Sequence, residues 1–387
     1  MGAGKLLIRF ILGVIIASLL GVGIGTRVSA APGTTIQGTL TLFTAIENIA
    51  VISSFTGDDN GNNRAILEYR LKGAAEWKPG IEMTADRRQA VISYYHGGAG
   101  GGTPQPNPYP NSWKAVIFWL TPNTEYEVRV TYSDPDGVAG SNPVIGTIRT
   151  RNDNPPSNGK KYFVSTTGND SNDGLGPQTA WAKIQYAASK VQAGDTVSIM
   201  PGVYTQGTIN INAAGGTADN YITFQSYDMN NKAIIDGGGT VVWNIRVTVP
   251  YIRFRGLHVR NTASDGANIA FEGDDRGNPH FPIVEDSILE DSGQDHPGSD
   301  VFIRFAEGVL IQRNQMRRIN RTATGSVGTS VYFFNNPTNP RGGHVVKGNS
   351  IIGSYRDGVG GGANAYWYGG PYINSYFYNN YIEGPYD

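Results

Sequence analysis

The 387-residue chain contains no cysteine, which excludes a disulfide framework, a thiolate metal centre and a cysteine nucleophile. Charge is scarce as well: 16% of residues are Asp, Glu, Lys or Arg, against roughly 25% in an average soluble domain. Long apolar runs are missing too. The nearest, residues 10–24, is shorter than the roughly 20 residues a spanning helix needs and is interrupted by Gly13, Gly21 and Gly23. Lys5 and Arg9 precede it and Val28, Ser29 and Ala30 follow, the pattern of a signal peptide cleaved after Ala30, with an uncleaved anchor as the alternative. A secreted protein with no stable membrane insertion after cleavage is expected. Without the leader's Lys5, Arg9 and Arg27 the chain carries 28 basic and 32 acidic residues, a balance that points to no nucleic-acid partner. In place of disulfides, stability must come from a large core, which some 357 residues can supply. What the chain does have is 52 glycines, 21 tyrosines and many asparagines, the composition of turn-rich all-β structure.

Two regions differ in pattern. AILEYRL (65–71) and EYEVRVT (125–131) alternate apolar and polar residues between turn signals, which predicts an antiparallel β-sandwich over 33–151. GDDNGNN (57–63) is one such turn; an EF-hand loop starting at Asp58 would require Glu at its twelfth position, where Tyr69 stands. The Gly-, Pro- and Asn-rich stretch 97–111 reads as a long loop, disordered or binding. The segment LTPNTEYEVRV (120–130) resembles the corner of a fibronectin type III domain, where Tyr126 would bond back to the preceding turn. NDNPPSNG (152–159) reads as a linker, taken as 152–160.

From 161 onward a short motif recurs: FRGLHV (254–259), VEDSIL (284–289), IQRNQM (311–316), VKGNSI (346–351) and FYNNYI (377–382), with starts separated by 30, 27, 35 and 31 residues. TFQSYD (223–228) holds a weaker copy with Phe224 30 before Phe254. Units this short cannot bury their own apolar residues, so they must stack into a solenoid, here a right-handed parallel β-helix over 161–387. Asn314, Asn349 and Asn380 share one motif position and would form a ladder of side-chain amides. In AKIQYAASKVQ (182–192), Ile184, Ala187, Ala188 and Val191 fall at helical spacing, which predicts an amphipathic helix capping the N-terminal mouth. No C-terminal cap precedes Asp387, so the chain is expected to continue in a longer protein.

YFVSTTGNDSNDG (162–174), TAWAKIQYA (179–187), AGDTVSIMPGVY (193–204) and GGTADNYITFQSYD (215–228) followed by AIIDGGG (233–239) resemble the opening of extracellular right-handed β-helix proteins, among them pectate lyases and related polysaccharide lyases. The resemblance covers about 160–387. It implies a polysaccharide partner and, in the lyases, Ca²⁺ held by carboxylates with a Lys or Arg base.

Acidic residues recur after turns at Asp265, Asp300, Asp357 and Asp387, near coil spacing, which would line them along one face. Asp300, Asp357 and Asp387 are the expected Ca²⁺ ligands, since clustered carboxylates are hard donors. Asp300 and Asp357 are the expected acidic catalytic residues, with Lys347, Arg304 or Arg356 as base or charge neutraliser. His296, in the polar loop GQDHPGSD (293–300), is a further candidate, whereas His344 is read as structural. Tyr366, Trp367, Tyr368, Tyr372, Tyr376, Tyr378 and Tyr381 crowd a Gly-rich stretch, and sugar rings stack on such side chains. Tyr366, Trp367, Tyr368 and Arg304 are the expected substrate contacts, and coil-to-coil packing is the competing role for the strand tyrosines. Asp357–Gly358 lacks the following lysine of calcium-and-lysine pectate lyases, and GGHVV (342–346) is not the Gly-His-Gly of polygalacturonases. The expected function is a polysaccharide lyase-like enzyme acting on an acidic polysaccharide as a monomer. The alternatives are a non-catalytic glycan-binding or adhesive protein and a glycoside hydrolase on the same fold.

Overall fold

The computed structural model describes residues 33–93, 103–273, 280–293, 295, 298–319, 328–334, 342–354, 357–361 and 374–384. The leader therefore lies outside the described residues. Among those described, no helix is long and apolar enough to cross a membrane.

Residues 35–149 form two facing sheets. One orders its strands Val138–Ala139, Thr35–Thr44, Ile49–Thr56, Ser112–Ile117, Thr84–Asp86; the other Val144–Arg149, Glu125–Ser133, Arg64–Leu71, Lys78–Pro79. Alternation sets the inner faces: Tyr126, Val128, Val130 and Tyr132 are buried on one strand and meet Ile49, Val51, Phe55 and Trp113 from the other sheet. The Thr121 N–H donates to Tyr126 Oη at 3.0 Å, the corner bond anticipated at that tyrosine. Part of the stretch expected to be an unstructured loop is a strand, Thr103–Pro106, which pairs antiparallel with Ala90–Ser93.

From Lys161 the chain winds into coils of three short strands. Equivalent strands stack in parallel to give a first sheet of eight strands, a second of seven and a third of six. Val197, Phe224, Phe254, Val284, Ile311 and Val346 form one inward row of the first sheet, packing against Val259, Leu289, Met316 and Ile351 of the second and Phe271, Ile303 and Phe333 of the third. The recurrent motif is thus a strand of the first sheet, a two-residue turn and a strand of the second. Gly256, Asp286, Arg313, Gly348 and Asn379, the first residue of that turn in successive coils, all have φ between 53° and 65°, the left-handed region in which glycine is free and asparagine tolerated. The second turn residue carries the ladder. Asn314 Nδ2 donates to Asn349 Oδ1 at 3.0 Å and Asn349 Nδ2 to Asn380 Oδ1 at 2.9 Å, while both amides also donate to backbone carbonyls.

At the N-terminal mouth the α-helix spans only Ile184–Ala188, shorter than the spacing suggested, but its predicted face is buried. Gln185 closes the sheet edge: its side chain donates to the Asn210 carbonyl at 3.1 Å and accepts from the Asn210 N–H at 2.7 Å. At the other end the inward Phe377 and Ile382 are 47% and 43% exposed around an open cavity of about 450 Å³.

The sandwich sits on the outer face of the first sheet. Ala45 and Ile46 pack against Ile283, Leu310, Val345 and Tyr221, and the rings of Phe118 and Trp119 meet Tyr376 and Tyr378 edge-on at 6.3 and 6.2 Å. Residues 152–160 are not a free tether. Arg253 donates to the Pro155 carbonyl at 3.2 Å and to Asn154 Oδ1 at 2.8 Å, and Ser157 Oγ to the Tyr221 carbonyl at 2.8 Å.

Candidate functional site

The coil offers three outer faces, and register decides what each can do. On the first sheet one outward row brings Ile283, Leu310 and Val345 under the sandwich, and the row beside it carries Arg255, Glu285, Gln312 and Lys347, whose charges are paired. The second sheet presents Asp236, Arg260, Glu290 and Arg317 in one row, which neutralise each other in pairs: Arg260 to Asp236 at 2.7 Å and Arg317 to Glu290 at 2.8 Å, with His258 3.5 Å from Glu290. Its turns from the first sheet are two residues long, too short to wall a groove.

The third sheet is different. Its strands Ala267–Glu272, Ser299–Arg304 and Thr329–Phe334 are apolar on both faces. Ile269, Val301 and Val331 point into the core, whereas Arg246, Ala270, Phe302 and Tyr332 form an outward row and Glu272, Arg304 and Phe334 the next. Phe302 and Tyr332 stack at 5.8 Å and 8° and are 6% and 7% exposed, so only a margin of the pair reaches the surface. Arg304, 46% exposed, lies 5.2 Å from the Phe305 ring and 5.9 Å from Phe334. Arg246 bonds to Glu272 and covers Trp243 at 5.1 Å, and Arg304 approaches the same Glu272 at 3.9 Å. Two arginines sharing one buried carboxylate leave the strip with an excess positive charge. In sequence the intervals between this sheet's strands and their neighbours are longer than those two-residue turns: 318–328, 335–344 and 362–375.

The predicted site residues separate on this framework. Arg304 is on the third-sheet face. Asp357 is at the corner entering that sheet, half-buried, with Thr329 Oγ1 3.5 Å from its carboxylate and its carbonyl accepting from the Ser330 N–H at 3.1 Å. Asp300 is one strand away but sealed. It lies in a row with Asn244, Asn268 and Ser330, accepts from Asn268 Nδ2 at 3.2 Å, and faces the guanidinium of Arg318, itself 1% exposed, at 3.5 Å. Burial pushes the Asp300 carboxyl up, and Arg318 acts against that shift. The residue is therefore a charged rung in a ladder of amides, with no open path to a polysaccharide or a cation. Lys347 is also committed elsewhere: its Nζ is 2.6 Å from Glu47 of the sandwich, which also accepts from Tyr378 Oη at 2.9 Å. Tyr376 and Tyr378 accordingly serve the interface between the two regions. His344 is buried with its Nδ1 3.4 Å from the Val309 N–H; desolvation, aided by Arg151, lowers its pKa to about 3, which fits the structural role. Arg356, His296, Tyr366, Trp367, Tyr368 and Asp387 lie outside the described residues. Among the described residues no three His, Asp or Glu side chains converge as metal ligands, and the oxygens of Asp300 already face protein donors.

Phe302, Tyr332, Phe334, Arg246 and Glu272 were missed by motif reasoning. The signal was present in NIAF, DVFIR and SVYFF, where apolar residues occupy both parities of a strand and one parity must face outward.

A family model described as "Pel9A-like, right handed beta helix region" matches residues 162–280. The coil is a right-handed parallel β-helix. The match covers the N-terminal coils, including Trp243, Arg246 and Glu272. Among solved structures, the "Structure of Yersinia enterocolitica Family 28 Exopolygalacturonase" aligns over 90% of this chain and 86% of that one, at 10% identity and a TM-score of 0.18, values that carry no functional argument. No curated protein matches.

Proposed function

We propose that the chain is a secreted carbohydrate-active protein that holds an acidic polysaccharide along the outer face of the third sheet, as a polysaccharide lyase-like enzyme. The observation that carries this reading is that Arg304 and Arg246, 46% and 37% exposed, stand beside the stacked Phe302 and Tyr332 rings, which are 6% and 7% exposed. Aromatic faces take the apolar faces of sugar rings, and guanidinium groups take uronate carboxylates by charge-assisted hydrogen bonds. Neutralising that carboxylate makes the adjacent C–H more acidic, which is the difficulty a lyase must overcome before a base removes the proton. On this reading Arg304 neutralises the carboxylate and Asp357 or Arg356 transfers the proton. The fibronectin type III-like sandwich is read as a docked accessory module.

A specific observation favours the non-catalytic alternative. Glu272 is engaged by Arg246 and Asp300 by Arg318, so neither carboxylate is free to act as a base or as half of a hydrolytic pair. The test is incubation with a panel of uronate polysaccharides, following binding and the ultraviolet absorbance of an unsaturated product. Binding with product supports the lyase. Binding alone leaves a glycan-binding protein, and absence of both removes the third-sheet reading.

A further inference from the structure

A second cleft, of about 250 Å³, opens where the last sandwich strand, the connection after it and the corner leading into the first sheet of the coil meet. It is below the roughly 300 Å³ at which drug-sized ligand pockets begin, so it suits one ring rather than a length of chain. Its wall is an aromatic column built by register. Tyr221, Tyr251 and Phe281 occupy one corner position in successive coils, Tyr221 edge-on to Tyr251 at 5.4 Å and Tyr251 stacked on Phe281 at 5.5 Å and 23°. The next two coils carry Gly308 and Gly343 at that position. A Cβ on Gly308 would come 2.1 Å from the Phe281 ring, so glycine is required there.

Arg151 enters the space those glycines leave. Its guanidinium lies 4.8 Å from the Phe281 centroid and donates to the Gly308 and Gly343 carbonyls at 2.5 and 2.9 Å, neutral acceptors that do not cancel its charge. Glu307, which acts on it electrostatically, is 2.9 Å from His280. Arg149, 56% exposed, lines the mouth, donating to the Asn123 carbonyl at 3.0 Å and lying 3.7 Å from Glu125. Among the described residues, Asp219 is the one acidic residue lining the cleft.

We propose that this junction cleft binds a single carboxylate-bearing sugar residue, held against the edges of Tyr251 and Phe281 with its carboxylate toward Arg149 and Arg151. The site needs both regions of the chain, because the cations come from the sandwich side and the aromatic column from the coil. It would hold a polysaccharide end or branch away from the third sheet, and it stands independently of the reading of that sheet.

The experiment is titration of the full chain with a methyl uronide monosaccharide and its neutral methyl hexoside, read by saturation-transfer NMR and calorimetry. The uronide is expected to bind at least tenfold more tightly than the neutral sugar. Arg149→Ala, at an exposed position, and Tyr251→Ala should each weaken uronide binding about tenfold or more, with melting curves recorded for both. Lys78→Ala, an exposed cation of the sandwich that does not line the cleft, should leave it unchanged. No uronide binding by the parent, equal binding of the two sugars, or equal binding by a folded Arg149→Ala variant would overturn the proposal. So would an equal loss in a folded Lys78→Ala variant, which would make the effect one of net charge rather than of the cleft.

Discussion

The first and third sheets of the coil both turn apolar rows outward, and the two rows differ in the side chains that build and flank them. Ile283, Leu310 and Val345 of the first are aliphatic, flat and covered by Ala45 and Ile46 of the sandwich. Ala270, Phe302 and Tyr332 of the third are 0%, 6% and 7% exposed, carry two aromatic rings and lie beside the more exposed Arg246 and Arg304. An aliphatic row gains only by exclusion of water, which another protein surface provides. An aromatic row beside guanidinium groups can also stack and pair with charge, so it can serve a ligand that keeps its own hydroxyls and carboxylates. The outer faces of one solenoid are thus specialised by the choice of side chain at equivalent coil positions.

The comparison can be broken most severely at the first sheet. Leu310→Asp would place a carboxylate in the dry interface beneath Ile46 and is expected to cost about 4–5 kcal/mol. Calorimetry should resolve separate transitions for sandwich and coil where the parent shows one. A single, unshifted transition would show that the covered row contributes little to docking.

Next in size is the sealed pair at the third sheet's entrance. Asp300→Ala leaves Arg318 buried without its carboxylate and is expected to cost about 3–5 kcal/mol. Joint replacement by Asn at 300 and Leu at 318 should recover most of that stability, because the neutral Asn extends the Asn244–Asn268 row. Denaturant melts of the parent and the two variants test this. A stable Asp300→Ala protein that has lost activity would return Asp300 to the reacting groups.

The fold was legible wherever the determinant was local or repeated. Tyr126, the spacing of the coil motif and the positions of Asn314, Asn349 and Asn380 all follow from patterns within a few dozen residues. The site was less legible because its determinants are distant in sequence. Nothing near Lys347 signals that Glu47, 300 positions earlier, takes its charge. Asp300 looks like a turn acid in SDVFI until Arg318 is seen to close over it. Phe302 and Tyr332 were readable in principle, since a strand apolar on both parities must cover something outside the core.

A pH effect tests the corner between the third and first sheets. His344 has its pKa lowered from 6.5 to about 3 by burial, with Arg151 adding to the shift and Glu307 opposing it. The unfolded chain therefore binds a proton that the folded chain refuses between those values, so stability is full above pH 6.5 and falls as pH drops toward 3. The loss by pH 4 should be on the order of 3 kcal/mol. His344→Asn, whose amide oxygen can accept from the Val309 N–H as Nδ1 does, should flatten that slope in urea melts at pH 7 and pH 4. An unchanged slope would assign the acid sensitivity to other groups.

The smallest expected effect discriminates most finely between the two faces. Arg304→Ala removes an exposed cation from the third sheet, and Lys347→Ala removes one from the covered first sheet. If the ligand lies along the third sheet, the Arg304 variant should bind uronate polysaccharide about tenfold more weakly, roughly 1.4 kcal/mol, with its melting temperature unchanged. The Lys347 variant should show the reverse, a lowered melting temperature from loss of the Glu47 bridge and unaltered binding, because its ammonium already faces the sandwich. Affinity and melting measured on the same two proteins separate the faces, since one mutation moves only the first quantity and the other only the second. Weakened binding in both would mean that the sandwich must be docked for the third sheet to work, and the contrast between a structural and a ligand-facing row would then give way to a dependence of one on the other.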